Sequence, residues 1–151
     1  MPGARQMHMD YVMAIVLVVN DDRDMLDMYQ SMLQAMGHRP ITMVAIDTGP
    51  ETVREVAADV LLVDLEAPDE ALFGLRLIQE VRRDPELQDL PIILATGAKE
   101  RVGLHRALLD SLGVPVLIKP FSINALEEKL RAALDTSTTS VGHVDDLATP
   151  A

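Results

Sequence analysis

Short apolar runs alternate along this chain with longer segments of helical periodicity, and this alternation restricts its fold more than any other feature. Four of the runs are nearly continuous Val, Ile and Leu, as is typical of strands covered on both faces of a parallel sheet. A fifth run, Ile41–Ile46, includes polar Thr42, which favours a position at a sheet edge. The four continuous runs are Ala14–Val19, Val60–Leu65, Ile92–Ala95 and Val116–Ile118.

The segments between the runs repeat apolar residues at the spacing of an amphipathic helix. Gly37 and Gly113 are expected C-caps, and Ser122 is an expected N-cap. Five β–α units in series predict an α/β fold, a doubly wound five-stranded parallel sheet between two layers of helices. The expected buried stripes are Leu26, Tyr29, Leu33 and Met36; Val53, Val56 and Ala57 after Pro50; Leu77, Ile78 and Val81; Leu104, Leu108 and Leu112; and Ile123, Leu126, Leu130 and Leu134.

Length and charge predict one cytoplasmic domain. The 151 residues match the usual size of a single domain, and no cysteine is present to form disulfides or thiolate metal sites. The net charge of −11 repels nucleic acid and anionic lipid, and the longest apolar run, Tyr11–Val19, is too short to span a membrane. We therefore expect no direct contact with either. We also expect a flexible extension over 1–11, the domain over 12–135 and a disordered polar tail over 136–151.

Polar residues follow the ends of four predicted strands. In a doubly wound sheet the carboxyl ends of the strands meet at one rim, which is where ligands bind. We therefore expect carboxylates, a hydroxyl and an ammonium group to converge at this rim. The residues are Asn20, Asp21 and Asp22 after the first strand, Asp64 and Glu66 after the third, Thr96 after the fourth, and Lys119 with Pro120 after the fifth.

This set of groups suits magnesium-dependent phosphoryl transfer. Clustered carboxylates repel each other unless a cation bridges them, and a ligand set made only of oxygen favours Mg²⁺. A carboxylate beside the ion can act as a nucleophile and form an aspartyl phosphate. Lys119 and the hydroxyl of Thr96 could then stabilise the charge on the transferred group.

Four segments of the sequence resemble the receiver domain of two-component response regulators, the chemotaxis type with a flavodoxin-like fold. They are Ile15–Asp22, Val60–Asp64, Pro91–Gly97 and Ile118–Phe121, in the right order and each at a strand end. The resemblance covers about Ala14–Leu134. It implies a three-layer sandwich with strand order 2-1-3-4-5 and Mg²⁺ as cofactor. It also implies a phosphodonor histidine on a sensor histidine kinase or a histidine phosphotransfer protein.

The resemblance further implies a role for individual residues at the rim. Asp64 matches the aspartate that accepts the phosphoryl group, and Asp21 matches a direct metal ligand. Glu66 matches the position whose main-chain carbonyl completes the protein's share of the magnesium shell. Thr96 matches the switch hydroxyl, and Lys119 matches the lysine that contacts the phosphoryl group.

Some of these residues also have simpler structural explanations. Asp22 fits an acidic N-cap of the first helix, where a carboxylate complements the helix dipole. Thr96 is β-branched, and such residues are common at strand ends without any further role. We predict a cis peptide bond between Lys119 and Pro120, because the chain must turn sharply there while the lysine points back at the rim.

Several positions depart from the usual pattern of the family. Asn20 stands where an acid usually holds the metal through water, so we expect weaker Mg²⁺ binding. The loop after Asp64 is longer than usual, which indicates an insertion around Pro68–Leu72. Val116 replaces the switch aromatic of the fifth strand and has no ring to rotate. We therefore expect the response to phosphorylation to be a backbone movement in the Thr96–Val102 loop and the fourth helix.

Together these features predict a phosphorylation-controlled binding switch that acts on a separate downstream protein or belongs to a longer regulator. Its only chemistry would be its own phosphorylation and dephosphorylation. The resemblance also allows a homodimer through the fourth helix, fifth strand and fifth helix. One alternative is a degenerate receiver, an interaction module independent of phosphorylation, which Asn20 and Val116 favour. Another is a Mg²⁺-dependent phosphohydrolase that acts through an aspartyl phosphate, although no segment is long enough to form a cap over a substrate.

Overall fold

The structure, a computed structural model, describes residues 13–148, with side chains described as far as Asp135. The strands are β1 (Ile15–Asn20), β2 (Arg39–Val44), β3 (Val60–Val63), β4 (Ile92–Thr96) and β5 (Val116–Ile118). The helices are α1 (Arg23–Ala35), α2 (Pro50–Val56), α3 (Phe73–Arg83), α4 (Lys99–Leu104), α5 (Arg106–Ser111) and α6 (Ile123–Ala148), with a 3₁₀ turn at Ala45–Asp47. The predicted alternation of strands and helices is therefore confirmed.

The five strands form one sheet in the order β2-β1-β3-β4-β5, and every neighbouring pair is parallel. This confirms the predicted fold class and strand order, with β2 at an edge. One apolar layer lies between the sheet and the helices α1 and α6, and it includes Leu26 and Leu126. The other lies between the sheet and the helices α2 to α5, and it includes Leu77 and Leu109. No helix in the described part of the chain is long and apolar enough to cross a bilayer.

The predicted fourth helix is in fact two short helices that meet at His105. The backbone of His105 has φ −114° and ψ 15°, which is not helical. The break changes which residues face the core: Leu104 is 81% exposed, whereas Val102 and Leu109 are buried. The predicted stripe is therefore wrong at Leu104. Gly103 is a poor helix former, and its position just before the break is consistent with a helix that ends there. Two of the other predicted stripes are also wrong, at Ala57, an exposed C-cap residue at φ 54°, and at Ile123, which is 53% exposed in the first turn of α6.

The last helix is longer than predicted. Its backbone is helical from Ile123 to Ala148, past the predicted domain boundary at 135. The predicted domain boundary at 135 and the predicted disordered tail over 136–151 stay predictions. Serine and threonine lower helix propensity only modestly, and no proline interrupts the segment before Pro150. The N-terminal extension predicted for 1–11 and the last residues, 149–151, lie outside the described residues.

The predicted helix ends are confirmed by hydrogen bonds and backbone angles. The Asp22 carboxylate caps α1 by accepting hydrogen bonds from two backbone amides of the first turn, at 2.9 and 3.4 Å. The Ser122 hydroxyl caps α6 by accepting the Ala125 amide at 3.0 Å. Gly37 and Gly113 follow their helices at positive φ, 87° and 70°. The Lys119–Pro120 peptide bond is cis, as predicted.

His38 fixes the entry of the chain into β1 through a hydrogen bond to the backbone. The Ala14 amide donates to Nδ1 of His38 at 3.1 Å, which requires that nitrogen to be unprotonated. Burial lowers the pKa of His38, and the charge of Glu127 only partly opposes this effect. Because the folded pKa is below the ordinary value of about 6.5, the unfolded chain binds the proton more readily.

We therefore expect the free energy of unfolding to fall as the pH is lowered from 7.5 to 5.5. Urea denaturation at several pH values measures this change. In His38→Asn the amide oxygen can accept the Ala14 bond without titrating, so the variant should lose part of the wild-type fall. His105→Asn is the control for removing one histidine. Equal pH dependence in wild type and His38→Asn would contradict the assignment.

Candidate functional site

The alternation of side chains along the strands places three of the predicted residues over the same layer. Asn20, Asp64 and Lys119 each come two positions after a residue that packs in the α1–α6 layer. Side chains alternate with a period of two, so all three point to that face of the sheet. Thr96 comes two positions after a residue of the opposite layer.

The carboxylate of Asp64 is the centre of the site. Lys119 Nζ donates to Asp64 Oδ2 at 2.8 Å, and Asn20 Nδ2 approaches the same oxygen at 3.4 Å. The amide of Glu66 donates to Asp64 Oδ1 at 3.2 Å. The side chains of Lys119 and Asp64 are 20% and 15% exposed. The acid at the end of a buried strand therefore has partners from β1, from its own loop and from the end of β5, and still reaches solvent.

Asn20 uses both ends of its side-chain amide. Its side chain is almost completely buried. Its Oδ1 accepts the backbone amide of Asp22 at 3.0 Å, while Nδ2 faces Asp64. Asn20 therefore acts at this rim as a neutral donor to the central carboxylate.

Thr96 joins the ends of the last two strands. Its carbonyl accepts the Lys119 amide at 2.9 Å. Its buried hydroxyl accepts the amide of Ala98 at 3.1 Å and so orders the turn into α4. Val116, at the start of β5, is half-buried against the same layer as Thr96. The predicted switch residues thus lie on the opposite side of the sheet from Asp64.

A groove of about 530 Å³ opens beside Asp64. One wall is the loop after β3, and Arg101 of α4 also lines the groove. The side chains of Arg101 and Glu66 form an ion pair that connects the loop to α4. The lining residues are Asp21, Asp64, Glu66, Ala67, Pro68, Asp69, Glu70, Ala71 and Arg101.

The loop that forms this wall contains the predicted insertion and is tightly held. Ala67 and Glu70 exchange backbone hydrogen bonds of 3.0 and 3.1 Å, which fold Pro68 and Asp69 into a turn. Arg76 of α3 donates to both carboxylate oxygens of Glu70, at 2.5 and 2.8 Å. These hydrogen bonds hold the pKa of Glu70 below its usual value. The loop that forms this wall of the groove is therefore held in one conformation by its own hydrogen bonds and by Arg76.

The donor set of the groove fits a hard cation. Among the described residues, no three carboxylate or imidazole side chains converge on one point. Asp21 and Asp64 supply two carboxylates on the same groove, and the predicted third donor is the main-chain oxygen of Glu66. All of these donors are oxygen, which Mg²⁺ prefers.

A family model described as the response regulator receiver domain matches residues 16–131. The chain belongs to this family. The predicted family is thereby confirmed, and the sheet order agrees with it.

Relatives and solved structures of this receiver support the same assignment. A chemotaxis protein CheY homolog of Campylobacter jejuni is 26% identical over 125 residues, which is 82% of this chain and 94% of the relative. Chemotaxis protein CheY1 of Helicobacter pylori is 28% identical over 126 residues, 81% of this chain and 98% of the relative. The response regulator protein TrrA of Thermotoga maritima, solved in complex with Mg²⁺-BeF, has a TM-score of 0.64 and 26% identity over 81% of this chain and 100% of that one.

Two residues near the site have features that sequence reasoning missed. Tyr29 is expected only as a core residue, yet its buried hydroxyl has no hydrogen-bond partner among residues 13–148, and its ring stacks on Phe121 with the ring centroids 6.1 Å apart. Burial and then the charge of Asp64 raise its pKa. Gly74 donates its amide to the Leu65 carbonyl at 2.8 Å and packs directly under Asp64. An aromatic ring in a helix stripe and a glycine after a loop give no signal of this proximity.

Replacing Gly74 with alanine should displace Asp64. A Cβ at Gly74 would lie 2.3 Å from the Asp64 carbonyl oxygen, so the backbone of the loop must move. We expect Gly74→Ala to lose most of its rate of labelling by acetyl phosphate and Mg²⁺ and to become less stable by about 1–3 kcal/mol. Gly103→Ala is the matched control, because a Cβ there meets no atom within 4 Å. Normal labelling of Gly74→Ala would show that the loop adapts without moving the carboxylate.

Proposed function

We propose that this receiver is a Mg²⁺-dependent switch that accepts a phosphoryl group on Asp64 from a histidine kinase or a histidine phosphotransfer protein. The observation that carries the proposal is the placement of Asp64. Its carboxylate contacts Lys119 at 2.8 Å and faces an open groove that Asp21 also lines. The phosphorylated form would then bind a downstream protein that the unphosphorylated form does not.

For the transfer of the phosphoryl group to Asp64, the protein needs only to position the reacting groups and to stabilise their charge. A carboxylate oxygen of Asp64 forms a bond to phosphorus while the phosphorus–nitrogen bond of phosphohistidine breaks. The electron pair of that bond returns to the imidazole nitrogen, so the nucleophile needs no general base. Lys119 balances the carboxylate in the resting state and can hold a phosphoryl oxygen in the product.

The oxygen ligands of the groove would hold the cation that this chemistry uses. When bound, Mg²⁺ neutralises part of the carboxylate charge and holds a phosphoryl oxygen. The side chains of Asp21 and Asp64 and the main-chain carbonyl of Glu66 are the proposed ligands. The complex of the T. maritima relative with Mg²⁺-BeF supports this assignment.

One observation favours a second candidate, a receiver that binds partners without being phosphorylated. Asn20 and Lys119 both approach Asp64 Oδ2, so the carboxylate is compensated by the protein itself. A site that is electrostatically satisfied in this way depends less on a metal than one with a third acid. Phosphorylation of Asp64 decides between the two candidates.

We expect acetyl phosphate and Mg²⁺ to add one phosphoryl group, seen as a single mass increase in the intact protein. Asp64→Asn removes the nucleophile and should abolish this increase. Asp89→Asn is the control, because Asp89 is an exposed acid just before β4, at the opposite end of the sheet. Labelling that persists in Asp64→Asn would refute the assignment. No labelling of the wild type would favour the phosphorylation-independent module.

Restoring an acid at position 20 should tighten Mg²⁺ binding. Asn20→Asp places a negative charge next to Asp64, which is worth about 1 kcal/mol or somewhat more, or roughly fivefold in affinity, at a surface-like dielectric. Calorimetric titration with MgCl₂ measures the change. Gln88→Glu adds the same charge at the far end of the sheet and should leave the affinity near that of the wild type. Equal affinities of Asn20→Asp and wild type would show that residue 20 does not face the ion.

A further inference from the structure

We propose that Arg101 is a binding residue for anionic phosphodonors, and that Glu66 occupies it until the donor arrives. The proposal rests on the proposed function, because it concerns how the phosphoryl group reaches Asp64. Its basis is the ion pair between the two side chains at the edge of the groove.

The charge of the groove creates the need for such a residue. A phosphodonor carries negative charge, and the groove through which it approaches is lined mainly by carboxylates. Lys119 is already bonded to Asp64. Arg101 is the one cation among the described residues that line the groove, whereas the acids there are Asp21, Asp64, Glu66, Asp69 and Glu70.

The ion pair between Arg101 and Glu66 is weak enough for Arg101 to change its partner. The side chains of Arg101 and Glu66 are 46% and 44% exposed, so water competes for both and their pairing is weak. A phosphoryl group offers several charged oxygens to the guanidinium, which binds such groups with two parallel hydrogen bonds. Little free energy is therefore lost when Arg101 leaves the Glu66 carboxylate and binds a phosphoryl group instead.

The backbone holds Arg101 in place while its side chain stays free to change partners. Val102, the next residue, is buried in the layer under α4, and its amide donates to the Ala98 carbonyl at 3.0 Å. The start of α4 is thus anchored, with Arg101 on its exposed side. Release from Glu66 needs only side-chain rotation.

The transfer itself does not consume Arg101. With acetyl phosphate, an Asp64 oxygen forms a bond to phosphorus, and the bond from phosphorus to the acetate oxygen breaks. Acetate leaves with the electron pair, and no proton is transferred. Arg101 contacts only the oxygens that stay on phosphorus, so it is a binding residue and not the nucleophile.

The test compares two small donors in the presence of Mg²⁺. Acetyl phosphate has a more negative net charge at pH 7 than phosphoramidate. Arg101→Gln should lower the second-order rate constant for acetyl phosphate by about tenfold and that for phosphoramidate clearly less. Glu66→Gln should raise the acetyl phosphate rate about threefold, but only where Arg101 is present. Arg101→Lys, which keeps the charge and loses the paired donors, should be intermediate.

Lys99→Gln is the matched control, since Lys99 is an exposed cation two residues away that does not line the groove. It should change neither rate by more than about twofold. Equal losses in Arg101→Gln and Lys99→Gln would overturn the proposal in favour of a diffuse charge effect. An equal gain from Glu66→Gln in the Arg101→Gln background would also overturn it, because Glu66 would then act alone. Thermal unfolding of each variant verifies that it is folded.

The experiment distinguishes failure of the Arg101 proposal from failure of the proposed function of Asp64. A wild type that is labelled normally and an Arg101→Gln variant with the same rates would overturn the role of Arg101 and leave Asp64 as acceptor. A wild type that neither donor labels would overturn the proposed function, and the role of Arg101 with it.

Discussion

The structure depends on one electrostatic constraint, the carboxylate of Asp64 at the end of a strand whose four residues are all buried. A charge in that position is costly unless it is paired and hydrogen-bonded. Its partners come from Asn20 on β1, from the Glu66 amide in its own loop and from Lys119 after β5. Because every strand of the sheet is parallel, the ends of β1, β3 and β5 lie at the same rim, and these separate segments meet there. The same parallel sheet that forms the fold therefore also assembles the site.

The sequence predicts the sheet well because its buried strands leave little ambiguity. Nearly continuous Val, Ile and Leu runs define the strands, and the polar residues that follow them locate the rim. Periodicity fails where local backbone angles decide the outcome, as at His105, whose conformation exposes Leu104. It also fails where contact is tertiary. Nothing in the spacing of Gly74 or Arg101 shows that one lies under Asp64 and the other pairs with Glu66.

Negative charge is concentrated where a phosphorylated partner would have to approach. The chain carries a net charge of −11, and the groove repeats this imbalance locally. Strong like charge slows the approach of an anion, and a cation at the groove edge offsets this effect. The loop after β3 adds acids to the groove, and Arg76 holds one of them, Glu70, in place. The acidity of this wall is therefore fixed by the fold.

The Asp64 carboxylate lies above one layer and the Thr96 hydroxyl above the other, which limits how a change at Asp64 can reach the rest of the fold. Thr96 and Val116 lie on the face of α2 to α5, where Val116 has a stiff side chain with no ring to rotate. On the opposite face, the rings of Tyr29 and Phe121 stack in the layer toward which Asp64 points, and the charge of Asp64 acts on Tyr29. On one side of Asp64, the packed aromatic pair therefore restricts any movement that phosphorylation causes. On the other side such a movement meets a turn held by a few hydrogen bonds, which include the one that the Thr96 hydroxyl accepts from the Ala98 amide. The turn yields more easily than a close-packed core, so we expect movement at Thr96–Val102.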